Sequence, residues 1–294
     1  MAIFVSMADF SPSELVLTPE GGVYHLNIRP EDLAHKVIIV GDQDRVETVS
    51  NYFDSVSHKS QHREFACHTG VYKGKNISVI STGIGTDNID IVLNELDALV
   101  NIDLKSRTIK EDKTSLEIVR VGTCGILQDE IPVDSFILST HALGIDNVGH
   151  YYELKKHPET KELLEEIKSK VSLPQGIVPY ITPASEKINQ RLRSTNIKEG
   201  ITVTSSGFYG PQGRRLRLPL TAPDMLDSFH DFEYKSFRFS NLEMECSALF
   251  ALSSSLGHEA TAICLGLANR RKKEFTKNYS TKILELIEYV LEKI

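Results

Sequence analysis

The sequence predicts an α/β fold, a sheet of buried strands with helices on both faces. Three observations predict it. Short β-branched or apolar runs alternate with stretches of helical periodicity along most of the chain. These runs are nearly continuous in apolar residues, as expected of strands buried on both sides. Several of them end in Gly-containing turns that lead into a helical stretch, and open α/β sheets bind ligands at such carboxyl ends.

In chain order, residues 1–36 read as an irregular lead-in, with 1–22 as an arm outside the domain. Val37-Ile38-Ile39-Val40 is the first strand, followed by a helix over about 43–53. Ile77-Ser78-Val79-Ile80 is the second. A helix over about 88–100 follows, with Ile89, Val92, Leu93 and Leu96 on one face. Leu116 begins a third strand ending at Val121, and Phe136-Ile137-Leu138 is a fourth. Further strands are expected near 177–182, 201–205 and 260–267, and helices near 158–170, 185–195, 245–256 and 277–292. The charged stretch 103–115 lacks periodicity and reads as a solvent loop or a helix extension. No Pro-, Ser- or Gly-rich linker divides the chain, so residues 23–294 are expected to form one domain.

The composition is that of a globular chain able to bury a large core, with 40% hydrophobic and 25% charged residues. A net charge of −7 argues against a nucleic-acid partner, which would require a basic groove. No apolar run is long enough to span a membrane, and the N-terminus lacks the features of a signal peptide. The four cysteines, Cys67, Cys124, Cys246 and Cys264, have no C-x-x-C spacing. They read as buried free thiols, which fits a cytoplasmic location.

Several loops carry candidate chemistry. Gly41-Asp42-Gln43-Asp44-Arg45 pairs a close-approach glycine with a helix start and a bidentate cation, a combination suited to phosphate; an ordinary turn with a surface Arg is equally open. Ser81-Thr82-Gly83-Ile84-Gly85 is glycine-rich but is neither a dinucleotide fingerprint nor a Walker loop. Arg120 interrupts an apolar strand that ends Gly122-Thr123-Cys124-Gly125, so it needs a partner, either an internal carboxylate or a bound anion. His62-Arg63-Glu64 is a solvated charge cluster or a source of a third anion-binding Arg. Asn241-Leu242-Glu243-Met244-Glu245 opens a helix; its carboxylates answer the helix dipole or accept from vicinal hydroxyls.

The stretch Phe208-Tyr209-Gly210-Pro211-Gln212-Gly213-Arg214 joins an aromatic pair to two planar polar side chains on a bent backbone. An amide has a donor and an acceptor face, and a guanidinium is a fork of donors. Together they complement a heterocycle edge reading carbonyl, N–H, carbonyl, such as that of uracil. The alternative is a surface turn.

With these segments in order, together with Val23-Tyr24-His25-Leu26, most of the chain resembles the nucleoside phosphorylases of the uridine-cleaving type. The resemblance implies a three-layer αβα sandwich around a central mixed sheet. It implies phosphorolysis of uridine to uracil and ribose 1-phosphate, with deoxyuridine as a further candidate substrate. It implies inorganic phosphate as co-substrate, no organic cofactor, and a homo-oligomer whose subunits share active sites. Gly41, Arg45, Arg63, Arg120 and Thr123 would bind phosphate, with Arg63 reaching a neighbouring subunit. His25, also across the interface, Met244 and Glu245 would hold the ribose. Phe208, Gln212, Arg214, Glu243 and Arg270 would form the base pocket, and Arg120, Glu245 and Arg214 would carry catalysis. Glu64, Ile84 and Asn88 match positions that hold a monovalent cation such as K+ between subunits in some members, although Asn88 replaces the familiar Ser. Purine-cleaving relatives place an Asp after the penultimate strand, where this chain reads Ala268-Asn269-Arg270. Four alternatives remain. A phosphorylase of broader or purine specificity would cleave other nucleosides with phosphate, a hydrolase of the same fold would turn over without phosphate, a non-catalytic nucleoside binder would not turn over, and a dinucleotide binder would carry a fingerprint that is missing here.

Overall fold

The computed structural model describes residues 10–294, so the expected arm lies partly outside the described residues. Backbone contacts divide the chain into two compact units. One comprises the described residues up to Gly83 with Ile91–Glu117; the other comprises Ile84–Asp90 with Ile118–Ile294.

The first unit contains β1 (Lys36–Val40), α1 (Gln43–Ser50), β2 (Ser55–His62), β3 (Phe65–Tyr72), β4 (Lys75–Ser81) and most of α2 (Thr86–Asn101). Its strands run in the order β2-β3-β4-β1, with β1 parallel to β4 and the other pairs antiparallel. Val37, Ile38, Ile39 and Val40 are all buried, which is why that run was legible as a strand. Asp42 caps α1 by accepting the Asp44 N–H at 3.0 Å. Lys73 and Gly74, both at positive φ, turn β3 tightly into β4.

The charged stretch 103–115 is neither loop nor helix extension at its start. It forms a small hairpin of β5 (Ile102–Asp103) and β6 (Thr108–Ile109). The Asp103 carboxylate accepts the N–H groups of Ser106 at 3.0 Å and Lys105 at 2.9 Å, which holds it below its ordinary pKa. The hairpin seats the N-terminal segment: Arg107 donates to the Leu15 carbonyl at 2.6 Å and accepts the Phe10 N–H at 3.0 Å.

The second unit continues with β7 (Glu117–Ile126), β8 (Phe136–Gly144), α3 (Lys161–Lys170), β9 (Tyr180–Pro183), α4 (Glu186–Leu192), β10 (Lys198–Thr204) and α5 (Met225–Asp231). It ends with β11 (Glu233–Tyr234), β12 (Phe237–Glu243), α6 (Cys246–Leu256), β13 (Glu259–Asn269), β14 (Glu274–Phe275) and α7 (Tyr279–Lys293). The strand order is β11-β12-β10-β8-β13-β7, and β12 also pairs with β7, closing a ring. β10 is parallel to both β8 and β12, whereas β13 is antiparallel to β8, so the sheet is mixed.

Alternation along β10 sets the layers. Ile201 and Val203 enter an apolar cluster with Leu163 and Ile167 of α3 and Met225 and Phe229 of α5. Thr202 and Thr204 point the other way, where α6 packs and the Ser247 N–H donates to the Thr204 hydroxyl at 2.9 Å. Helices therefore cover both faces, as the expected sandwich requires. α7 buries Ile283, Leu286, Ile287, Val290 and Leu291 on one stripe. Among the expected boundaries that move inward, the strand near 177 begins at Tyr180, the helix near 185 ends at Leu192, and the helix near 43 ends at Ser50.

Candidate active site

β7 carries Arg120 into the interior, where it is 5% exposed. Its side chain folds along the strand over Gly122. A Cβ at 122 would lie 1.7 Å from Nη1, so this Arg rotamer requires glycine two residues on. Nη2 donates to the Glu245 carboxylate, and Nη1 lies 3.7 Å from Glu243 Oε2. Arg120 Nε is buried without a hydrogen-bond partner. Burial opposes its charge, but Glu245 and Glu243 outweigh that and hold the guanidinium above its ordinary pKa. Of the two readings of Arg120, the internal carboxylate partner is present in this state.

The Glu-Met-Glu segment does not open a helix as expected. Glu243 ends β12, Glu245 is the N-cap residue and α6 begins at Cys246. The Glu243 carboxylate is spent on this junction. It accepts from Thr204 Oγ1 at 2.6 Å, Glu245 N at 2.9 Å and Cys246 N at 3.1 Å. The Glu243 main-chain carbonyl accepts from Gln212 Nε2, in the 208–214 loop, at 3.4 Å. Glu245 Oε1 accepts the N–H of Gly85, at φ 104°, at 2.8 Å. Burial pushes the Glu245 carboxyl up to about 7; Arg120 pulls the other way, Glu243 adds to the rise and the Gly85 N–H opposes it. Met244 and Thr123 are partly buried.

Behind this junction lies a buried polar group that the sequence did not reveal. Tyr180 donates to Asp146 Oδ1 at 2.8 Å, and the Ser247 hydroxyl donates to Asp146 Oδ2 at 2.5 Å. Each residue sits in an ordinary strand, turn or helix position, so no local motif marks it.

The 208–214 loop is a folded clamp. Arg214 Nη1 donates to Gln212 Oε1 at 2.5 Å and to the Phe208 carbonyl at 2.6 Å, and its guanidinium lies 3.7 Å from the Phe208 ring centroid. Arg270, in the turn after β13, braces it, donating to the Gln212 carbonyl at 3.0 Å and the Gly213 carbonyl at 3.2 Å. Gln212 is buried, whereas Phe208 is 50% exposed. Burial and the nearby Arg270 charge lower the Arg214 pKa to about 10. A cavity of about 620 Å³ lies against this loop, lined by Tyr209, Pro211, Arg214, Leu218, Leu220 and Met225. Asn269 is buried and donates to the carbonyls of Gln128 at 3.0 Å and Ile131 at 3.1 Å, so its amide holds backbone in place.

The first unit holds the remaining candidates. Gly41 ends β1, and a Cβ there would meet only the Gly83 carbonyl, at an ordinary 3.5 Å. Arg45 lies in the first turn of α1. Arg63, at φ 54°, and Glu64 form the two-residue turn between β2 and β3. His25 Nδ1 lies 2.6 Å from Glu95 Oε1 on α2, a residue the sequence reading missed because it resembles any helix-surface Glu. Of the cation candidates, Ile84 is 69% exposed and Asn88 is partly buried. A Glu carboxylate, a main-chain carbonyl and an Asn amide offer only oxygen donors, which suits a hard cation. Among the described residues, no three His, Cys, Asp or Glu side chains converge as metal ligands, and no helix is long and apolar enough to cross a membrane. The four cysteines are buried and unpaired.

The chain is similar to several known proteins. A uridine phosphorylase of Thermococcus kodakarensis is 30% identical over 271 residues, spanning 91% of this chain and 85% of that protein. One from Haemophilus influenzae is 27% identical, spanning 90% and 93%. A Trypanosoma brucei nucleoside phosphorylase, described as showing uridine phosphorylase activity, superposes with a TM-score of 0.87 at 31% identity, covering 95% of this chain and 98% of that one. Residues 35–292 match the family described as the phosphorylase superfamily, and the chain belongs to that family.

Proposed function

We propose that this protein catalyses phosphorolysis of uridine, releasing uracil and ribose 1-phosphate. The observation that carries the proposal is the clamp: the buried Gln212 amide beside the Arg214 guanidinium, on a loop whose backbone Arg270 braces. In the present state amide and guanidinium satisfy each other. A uracil edge would replace that bond, with its N–H and one carbonyl facing Gln212 and the other carbonyl facing Arg214. The two relatives named as uridine phosphorylases and the trypanosomal enzyme support the same reading.

Phosphate is held by Gly41, Arg45, Arg120 and Thr123, and by Arg63 from a neighbouring subunit. The nearest atom to a Cβ position at Gly41 is the Gly83 carbonyl oxygen, at an uncrowded 3.5 Å, so the backbone there stays open to an anion. A phosphate oxygen forms a bond to the anomeric carbon as the glycosidic bond breaks, and the electron pair leaves on uracil. Glu245 accepts from the ribose hydroxyls, Met244 packs on the sugar, and His25 takes the 5′-hydroxyl. Negative charge grows on the base beside Arg214 and Arg270, two cations that already repel each other, so the leaving anion relieves their repulsion. Phe208 stacks on the base. Glu243 acts indirectly, by holding the amino end of α6. Glu64, Ile84 and Asn88 would hold K+ between subunits of a homo-oligomer; no step of the reaction runs through it. Four buried thiols support a cytoplasmic location.

The test is a uracil-release assay with and without phosphate on uridine, deoxyuridine and inosine. Uridine turnover that requires phosphate and exceeds inosine turnover is expected. Equal turnover without phosphate would mean a hydrolase, and preferred cleavage of inosine would mean the clamp reads another base.

A further inference from the structure

The carboxylate of Glu95 meets the 23–28 turn at three nitrogens. Oε1 accepts the His25 main-chain N–H at 2.9 Å and lies 2.6 Å from His25 Nδ1; Oε2 accepts the Leu26 N–H at 2.8 Å. The Glu95 side chain is only 12% exposed, whereas that of His25 is 31% exposed. The imidazole is also fixed by edge contacts with Tyr24, at a centroid distance of 5.0 Å, and Phe65, at 6.4 Å. The His25 carbonyl in turn faces His62 Nδ1 at 3.0 Å.

A carboxylate only accepts hydrogen bonds, so the ring nitrogen facing it carries the proton. In the neutral ring, the other nitrogen, Nε2, is then a bare acceptor. We propose that Glu95 is a positioning residue that locks His25 in the Nδ1–H tautomer, so that Nε2 accepts from a ribose 5′-hydroxyl and the site selects nucleosides with that hydroxyl free. The proposal rests on the reading of His25 as the 5′-hydroxyl contact and adds the group that determines its polarity. It also explains discrimination: a 5′-deoxy sugar offers no donor, and a 5′-phosphate would bring its anion against a lone pair backed by a second anion. Two of the Glu95 bonds go to main-chain N–H groups, so a purely structural staple would use the same residue. The ring tautomer separates the two roles.

The experiment pairs nitrogen-detected imidazole NMR with kinetics on uridine and 5′-deoxyuridine, using the full protein, Glu95→Gln, His25→Ala and the double variant. The expected wild-type spectrum has His25 protonated at Nδ1. In Glu95→Gln the Nε2–H form should grow, and the ratio of uridine to 5′-deoxyuridine kcat/KM should fall about threefold to tenfold, the worth of one hydrogen bond. In the double variant the ratio should fall no further than in His25→Ala. A wild-type ring protonated at Nε2, or a Glu95→Gln variant that keeps both tautomer and ratio, overturns the proposal. If Glu95→Gln does not fold, the wild-type spectrum decides it. If the unaltered protein does not split uridine at all, the substrate reading fails instead, and the spectra still decide whether Glu95 sets the tautomer.

Discussion

At the amino end of α6, Arg120, Glu243 and Glu245 sit almost wholly inside the protein, and both carboxylates are tied to backbone N–H groups. The 208–214 loop is built the other way. Its Arg214 bonds to its own loop, Phe208 stands half in solvent, and a cavity of about 620 Å³ lies against it. The first region is held by partners from β7, β10, β12 and the Gly85 turn, so moving any member leaves a charge uncompensated. The second is braced mainly by Arg270 and can exchange internal bonds for bonds to a ligand at little cost. The difference fits the division of labour in the proposed reaction, in which the buried junction would serve what every substrate shares, sugar and phosphate, and the loop would serve what distinguishes one base from another.

The sharpest way to break this comparison is Arg120→Met. It strands two buried carboxylates, and breaking a buried pair by removing one partner costs about 3–5 kcal/mol. The expected outcome is a large drop in the denaturation midpoint together with loss of phosphorolysis. A variant of unchanged stability would mean that the junction is no more committed than the loop. Gly122→Ala tests the same region through packing. The new Cβ would occupy the position of the guanidinium, with an expected loss of about 1–3 kcal/mol and weaker phosphate dependence, measured by thermal denaturation and phosphate titration.

Titration gives a third test. The Glu245 carboxyl is raised to about 7 in the folded protein, from an ordinary 4.5. Between those values the folded state binds more protons than the unfolded one, so stability contributed at low pH is lost as pH rises towards 7. Glu245→Gln should flatten this slope between pH 5 and pH 8, whatever it does to stability at any one pH. Denaturant midpoints across that range check it, and an unchanged slope would show that Glu245 is already ionised at pH 5.

How much of this was legible follows from the same contrast. β1, β4, β7 and β13 were readable because their runs are apolar on both faces. β2 was not, since Ser55–His62 is a polar edge strand. β12 escaped because polar residues interrupt its buried run: Ser240 and Asn241 are buried, and the Asn241 amide oxygen accepts from the hydroxyls of Ser240 and Thr202. The 208–214 loop was legible because glycines and a proline leave its side chains local in sequence. The junction was only half legible. Arg120 and the Glu-Met-Glu segment stood out, but Thr204 and Asp146 there, like Glu95 beside His25, act through partners 34 or more residues away, and nothing in their own neighbourhoods marks them.

Arg214→Ala should have the smallest effect on folding and the most selective effect on function. Its bonds are to its own loop and its head is only partly buried, so the expected stability change is under about 1 kcal/mol. Turnover is another matter. Removing a donor aimed at a developing anion costs about 10²–10³ in rate. That loss should fall on uridine cleavage, while phosphate affinity, which depends on other residues, stays put. Parallel measurement of denaturation midpoint, uridine turnover and phosphate affinity separates the outcomes. A variant that unfolds would place Arg214 with the junction as a structural group. A variant that folds, binds phosphate and still splits uridine at the original rate would remove the loop from base recognition, leaving specificity to be sought in Phe208 and the cavity beside it.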